Sequence, residues 1–166
     1  MGVSSLYVNF NCKLFTLYYI ACNIDCVMKV IKDSLSFSTK GFNDMLDLTS
    51  HVSKKLMESG LENGTVTLFV TGSTAGITTI EYEEGLVKDF SELMEKLIPS
   101  TVTYHHDARW GDGNGFSHVR ASLLGPSLTV PFYDGKLALG TWQQIVFVDF
   151  DNRERSRKII LQFMGK

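Results

Sequence analysis

Ser127-Leu128-Thr129-Val130-Pro131-Phe132-Tyr133-Asp134-Gly135-Lys136-Leu137-Ala138-Leu139 is an alternating run, broken by Asp-Gly and resumed at once. Two strands joined by a tight turn have this pattern. The same texture continues, with strands predicted at 127–132, 137–139, 142–150 and 157–163. Their connections are too short for a crossover, so neighbours pair antiparallel. A further strand is predicted at 101–105.

Upstream, 30–37 reads as a strand that ends at Ser38-Thr39-Lys40-Gly41. Asn43 is placed to cap a helix in which Met45, Leu48, Val52 and Leu56 recur at helical spacing and Gly60 supplies the stop. A strand at 65–70 is followed by a small-residue loop, 71–76, and an alternating segment from Ile77 to Ile80. A helix at 84–97 carries the stripe Leu86, Phe90, Leu93 and Leu97 and is stopped by Pro99. A short helix at 117–124 lies between Asp112-Gly113-Asn114-Gly115 and Gly125-Pro126. The sum is an α+β fold, an antiparallel sheet covered on one face by helices.

Composition narrows the function. The chain has 166 residues, 44% hydrophobic and 20% charged, with a formal net charge of -2, which argues against disorder and coiled coil. There is no positive field to hold nucleic acid or an anionic membrane, so neither is an expected partner. Cys12, Cys22 and Cys26 all precede residue 28, which leaves the remainder without a disulfide, a thiolate metal site or a cysteine nucleophile. The cytoplasm is the expected compartment. No repeat or linker divides 28–166, read as one domain. Residues 1–27 carry only Lys13 and Asp25 as charges, and their apolar stretch at 14–22 is too short to span a membrane. They read as an extension, a non-native or misassigned start with Met28 as initiator being preferred over a partner- or membrane-contacting segment or a targeting peptide.

His106 and His118 flank the glycine-rich loop, and imidazole suits metal ligation or proton transfer near neutral pH. His105 and Asp112 lie nearby, and Asp107 is placed to orient an imidazole. Glu81, after an alternating segment, is a candidate for cation or proton handling. Ser73 and Thr74, among glycines, can present hydroxyls and backbone N–H groups to a phosphate. Arg153, Arg155 and Arg157 share one face of an extended segment and are natural phosphate partners. Trp142 and Gln143 are candidates for a stacking and hydrogen-bonding wall.

Thr71-Gly72-Ser73-Thr74-Ala75-Gly76-Ile77-Thr78-Thr79-Ile80-Glu81, Asp112-Gly113-Asn114-Gly115-Phe116-Ser117-His118-Val119-Arg120-Ala121-Ser122-Leu123-Leu124-Gly125-Pro126-Ser127 and Gly135-Lys136-Leu137-Ala138-Leu139-Gly140-Thr141-Trp142-Gln143-Gln144-Ile145 together resemble the YjbQ-like family, also called secondary thiamine-phosphate synthase. The likeness covers 28–166. It implies a homotrimer and a site formed by Glu81, His106, Ser117, His118, Arg120, Trp142, Gln143 and Arg157. A divalent ion, Zn or Mg, would be held by His106 and His118. The implied reaction joins hydroxymethylpyrimidine diphosphate to thiazole phosphate and releases pyrophosphate. Arg120 and Arg157 would bind anions, with Ser73, Thr74 and Ser117 as further substrate contacts. Glu81, His106 and His118 would be catalytic, and Trp142 would stack on a heteroaromatic ring. Many family members have histidine where this chain has Gly72, and some where it has Phe116. The alternatives are a non-catalytic trimer binding a phosphorylated metabolite and a metal-dependent hydrolase using the same histidines.

Overall fold

The computed structural model describes residues 27–166; the reading of an N-terminal extension therefore falls almost wholly outside the described residues. The elements in chain order are β1 (Lys29–Thr39), β2 (Asp44–Asp47), α1 (Thr49–Ser59), β3 (Gly64–Val70), β4 (Ala75–Ile80), α2 (Glu84–Leu97), α3 (His105–Trp110), α4 (Gly115–Leu124), β5 (Ser127–Tyr133), β6 (Lys136–Leu137), β7 (Gln144–Asp149) and β8 (Arg155–Gly165). This is the expected α+β class. All pairings among these strands are antiparallel, but they build two sheets where the sequence reading had one: β1-β8-β3-β5-β6 and β2-β7-β4.

The second sheet exists because β7 has no polar face. Ile145, Val146, Phe147 and Val148 are all buried, so alternate residues must find apolar partners on opposite sides. Ile145 and Phe147 join Ile77, Leu68, Leu161 and Phe163 in a core between the sheets, which Leu48, Val52 and Leu56 of the α1 region complete. Val146 and Val148 turn the other way and are covered by Met94 and Phe90 of α2 and Ala121 and Leu124 of α4. Burying an aliphatic or aromatic side chain contributes roughly 1.5–3 kcal/mol, so each face of β7 is a substantial stabilising layer.

Two predicted elements are corrected. The helix begins at Thr49, not beside Asn43, because 44–47 pairs with β7, Met45 opposite Val148. Asn43 has φ 66° and does not cap; the Asp47 carboxylate accepts the Thr49 N–H at 2.8 Å, and Gly60, at φ 67°, ends the helix as expected. The strand predicted at 101–105 is a turn leading into α3, whose first residue is His105. The Asp107 carboxylate accepts the Tyr104 N–H at 3.2 Å and closes the helix start, overriding the β-branched preference of Thr101-Val102-Thr103.

Candidate functional site

The two histidines meet through the contact between α3 and α4. Asp107 also accepts the Gly115 N–H at 2.7 Å, so one carboxylate ties the starts of both helices together. This is its role in the fold, in place of the expected orientation of an imidazole. The approach is close: a Cβ on Gly115 would lie 2.4 Å from the Tyr104 Cβ. His106, one residue into α3, and His118, in the first turn of α4, then face each other with ring centroids 4.3 Å apart and planes tilted by 44°. His106 Nε2 lies 3.7 Å from Asp112 Oδ1, and the Asn114 amide nitrogen, turned toward an acceptor, is 3.2 Å from both Asp112 carboxylate oxygens. Burial pushes the His118 pKa below its ordinary value and the His106 charge adds to this; Asp112, Asp151 and a Ser73 backbone hydrogen bond oppose it without reversing it. His118 is therefore a neutral imidazole at pH 7.

Beside this pair lies a hollow of about 250 Å³ lined by Gly72, Ser73, Thr74, Asn114, His118, Asp151, Arg155 and Arg157. Asp112, Asn152 and Arg153 line its extension past Asn114 and Arg155. Its floor is a charge network unforeseen from sequence. Asp149, fully buried, accepts from Arg157 Nε at 2.6 Å and Nη2 at 2.5 Å, and Thr39 Oγ1 donates to the same carboxylate. Asp151, also fully buried, accepts from Arg155 Nε at 2.7 Å, from Thr74 Oγ1 at 2.9 Å and from Arg157 Nη2 at 3.3 Å. Burial alone would raise the Asp151 pKa, but hydrogen bonds from Arg155, Thr74 and the Asn152 N–H and the Arg155 charge outweigh it, so it lies below its ordinary value. The extended start of β8 sets Arg155 and Arg157 on one face, as expected, and Asp149 and Asp151 from β7 and the turn after it meet them.

Several residues expected to contact substrate are engaged elsewhere. Arg120 is fully buried: Nε and Nη2 donate to the Ile98 carbonyl at 3.0 and 2.6 Å, Nη1 to Asn43 Oδ1 at 3.0 Å and Nη2 to Glu95 at 2.5 Å. It fastens the end of α2 to α4 and does not face the hollow. The Ser117 hydroxyl, fully buried, donates to the Phe150 carbonyl at 2.6 Å. Thr74 lines the hollow, yet its hydroxyl is taken by Asp151 and Arg157 Nη2. Phe116 packs its ring under the Arg120 guanidinium at 4.9 Å.

Glu81, Trp142 and Gln143 lie at the other end of β4. Ala75 is opposite Asp149 and Ile80 opposite Gln144, so the five steps between them span roughly 17 Å at about 3.3 Å per residue. Glu81 follows Ile80 and is exposed, Trp142 is 70% exposed, and the Gln143 amide donates to Thr79 Oγ1 at 2.9 Å. Within one chain the carboxylate beside the imidazoles is Asp112, not Glu81. Among the described residues no three His, Cys, Asp or Glu side chains converge to hold a metal ion. Two imidazoles and Asp112 are suitable donors by type, but their placement in one chain does not make a complete divalent site.

A two-sheet α+β protein with two imidazoles in contact beside an arginine-floored hollow is the class that these features define. The comparisons place it in a family. The model of the UPF0047 protein YjbQ-like family matches residues 33–166, and the chain belongs to this family. It is 39% identical over 139 residues to a UPF0047 protein of Methanothermobacter thermautotrophicus, covering 84% of this chain and 95% of that one. It is 33% identical to YugU of Bacillus subtilis, covering 80% and 98%. The crystal structure of a YbjQ-like protein of unknown function from Sulfolobus solfataricus superposes with a TM-score of 0.79 at 32% identity, covering 84% of this chain and all of that one. A YjbQ/UPF0047 protein from Clostridium acetobutylicum gives 0.72 at 33% identity, covering 79% and 98%.

Proposed function

We propose that the hollow binds a small phosphorylated metabolite and that the chain is a transferase of the secondary thiamine-phosphate synthase kind, acting in the cytoplasm. In the reaction the thiazole ring nitrogen attacks the methylene carbon of hydroxymethylpyrimidine diphosphate. A C–N bond forms, the C–O bond breaks, and the electron pair leaves with pyrophosphate. No protein nucleophile is required. What is required is fixed N–H donors for phosphoryl oxygens and a neutral base near the carbon that becomes positive.

The observation that supports this reading best is the neutral His118 imidazole, in tilted contact with His106 and opening onto the same hollow as Arg155 and Arg157. His118 contributes a lone pair that accepts a hydrogen bond as positive charge develops. Glu81, Trp142 and Gln143 take part only if a neighbouring copy carries them to the hollow, so the homotrimer belongs to the proposal. Exposed Leu93 and Leu97 on α2 and Val119 and Leu123 on α4 support such a contact. Purified protein given both precursors should form thiamine phosphate and pyrophosphate, with the rate in His118→Ala falling by about 10²–10⁴-fold. Undiminished turnover in that variant rejects the assigned site. Saturable metabolite binding without turnover leaves the non-catalytic trimer, and absence of a stoichiometric divalent ion from the purified protein removes the hydrolase, which needs a metal-bound water. Sedimentation equilibrium reads the trimer directly; a monomer at assay concentration overturns it.

A further inference from the structure

We infer that the anion is held at one defined point, Arg157 Nη1 under Gly72, and that this point takes the single phosphoryl group of a phosphate monoester. The inference rests on the reading of the hollow as a phosphorylated-metabolite site and assigns its anchor. Arg157 donates through Nε and Nη2 to Asp149, Thr74 and Asp151, and Nη1 has no partner among the described residues. Arg157 is only 12% exposed, and no buried polar side-chain atom among the described residues lacks a partner, so Nη1 is open to the hollow. A Cβ on Gly72 would lie 3.4 Å from Nη1, the nearest atom to it. Gly72 does not have the positive φ that makes glycine necessary. Its missing side chain keeps that nitrogen uncovered.

Asp149 is thereby a positioning residue: by engaging one edge of the guanidinium it turns the remaining terminal nitrogen outward. Arg155 is held likewise, with Nε on Asp151 and neither terminal nitrogen bonded among the described residues. The Ser73 hydroxyl lines the same space. Two carboxylates face two guanidiniums, so the floor is neutral before a ligand arrives. It offers N–H donors rather than surplus positive charge, which suits one phosphoryl group better than the higher charge of a diphosphate.

The test uses the full chain and inorganic phosphate in isothermal titration calorimetry, with pyrophosphate as the comparison and precursor turnover measured in parallel. Wild type should bind phosphate saturably, and Gly72→Ala should weaken it by about tenfold, the loss of one charge-assisted hydrogen bond. Arg157→Lys, which keeps a cation against Asp149 but removes the second terminal nitrogen, should lose binding similarly. Melting temperatures of the unliganded variants separate a damaged site from a damaged fold. Equal phosphate affinity in wild type and Gly72→Ala overturns the anchor while leaving the transferase reading intact. Turnover without phosphate binding also overturns the anchor alone, whereas absence of both overturns the two together. Pyrophosphate binding more than about tenfold tighter than phosphate overturns the monoester assignment.

Discussion

Asp149 is fully buried and faces a guanidinium that is itself almost covered, so the pair stands or falls together. Removing one partner of a buried ion pair leaves an uncompensated charge and typically costs about 3–5 kcal/mol. Asp149→Ala should therefore lower the unfolding free energy by about that amount in urea titrations, while Asp149→Asn, which keeps the shape and one acceptor, should cost clearly less. Equal losses would assign the effect to the charge that both changes remove, and not to packing or the retained acceptor. The site was partly legible at this scale. His106 and His118 stood out because imidazoles flanking a glycine-rich loop have few reasons to recur, and the alternating arginines announced a cationic face. Asp149 and Asp151 did not stand out, because they end the apolar run Ile145 to Phe150 and read as its boundary. The available signal was complementarity: two acids bracketing Phe150 against basic residues alternating a few positions later. Arg120 and Ser117 misled for the opposite reason, since polar type shows chemistry but not whether the group turns inward to a carbonyl.

The segment from Tyr104 to Leu124 decides whether the histidines meet, and it was the hardest to read. Thr101-Val102-Thr103 has strand-forming residues but finds no partner strand, whereas Asp107 supplies acceptors for two N–H groups that only helices at 105 and 115 present. Nothing local in the sequence shows that second partner, eight residues away. By contrast the extents of α2 and of β5 to β8 were legible from local signals such as Pro99 and the Asp134-Gly135 turn. Their partners were not: Leu93 and Leu97 of the expected α2 stripe are exposed with Met94 buried instead, and β7 pairs with β2 and β4 and β8 with β1 and β3, not with each other. Met45 fitted a helical stripe by coincidence: it is a strand residue whose side chain packs on Val148 and Met94 from the other face of the sheet. At this scale Gly115→Ala is the informative change. The added methyl must displace Tyr104, whose hydroxyl is anchored to the Pro99 carbonyl at 2.7 Å. Overpacking of this kind costs about 1–3 kcal/mol, and the displacement should separate the imidazoles. Thermal melting should show the loss of stability and NMR of the histidine rings the change in mutual shielding; unchanged ring shifts would show that α3 and α4 dock without this contact.

Across the whole molecule, the titrating groups with shifted pKa values at the hollow and at the α2–α4 junction make stability fall in one direction with acid. His118 lies below its ordinary value of about 6.5, chiefly through burial, so the unfolded chain takes up this proton first. Its contribution is present above that pH and is lost as pH falls toward the lowered folded value. Asp151 and Glu95 are also lowered: burial would raise each, but the Arg155, Thr74 and Asn152 contacts of the former and the Arg120 and Ser100 contacts of the latter prevail. Their contributions hold above the ordinary carboxylate values of about 3.8 and 4.5 and are lost on further acidification. Denaturant-derived stability should thus decline in two stages, one beginning near pH 6.5 and a second below about pH 4.5. His118→Gln should abolish the first stage and leave the second, because the glutamine has no proton to exchange while Asp151 and Glu95 remain. If wild-type stability is flat from pH 7.5 to 5.5, His118 is not held neutral by the folded chain and loses its place as the base beside the hollow. If the first stage persists in His118→Gln, another group carries it. Because the first stage begins while folded His118 is still neutral, the proton going to the unfolded chain, turnover should hold through its onset and fail only as pH reaches the lowered folded value, so the acid limb of turnover lies below that of stability.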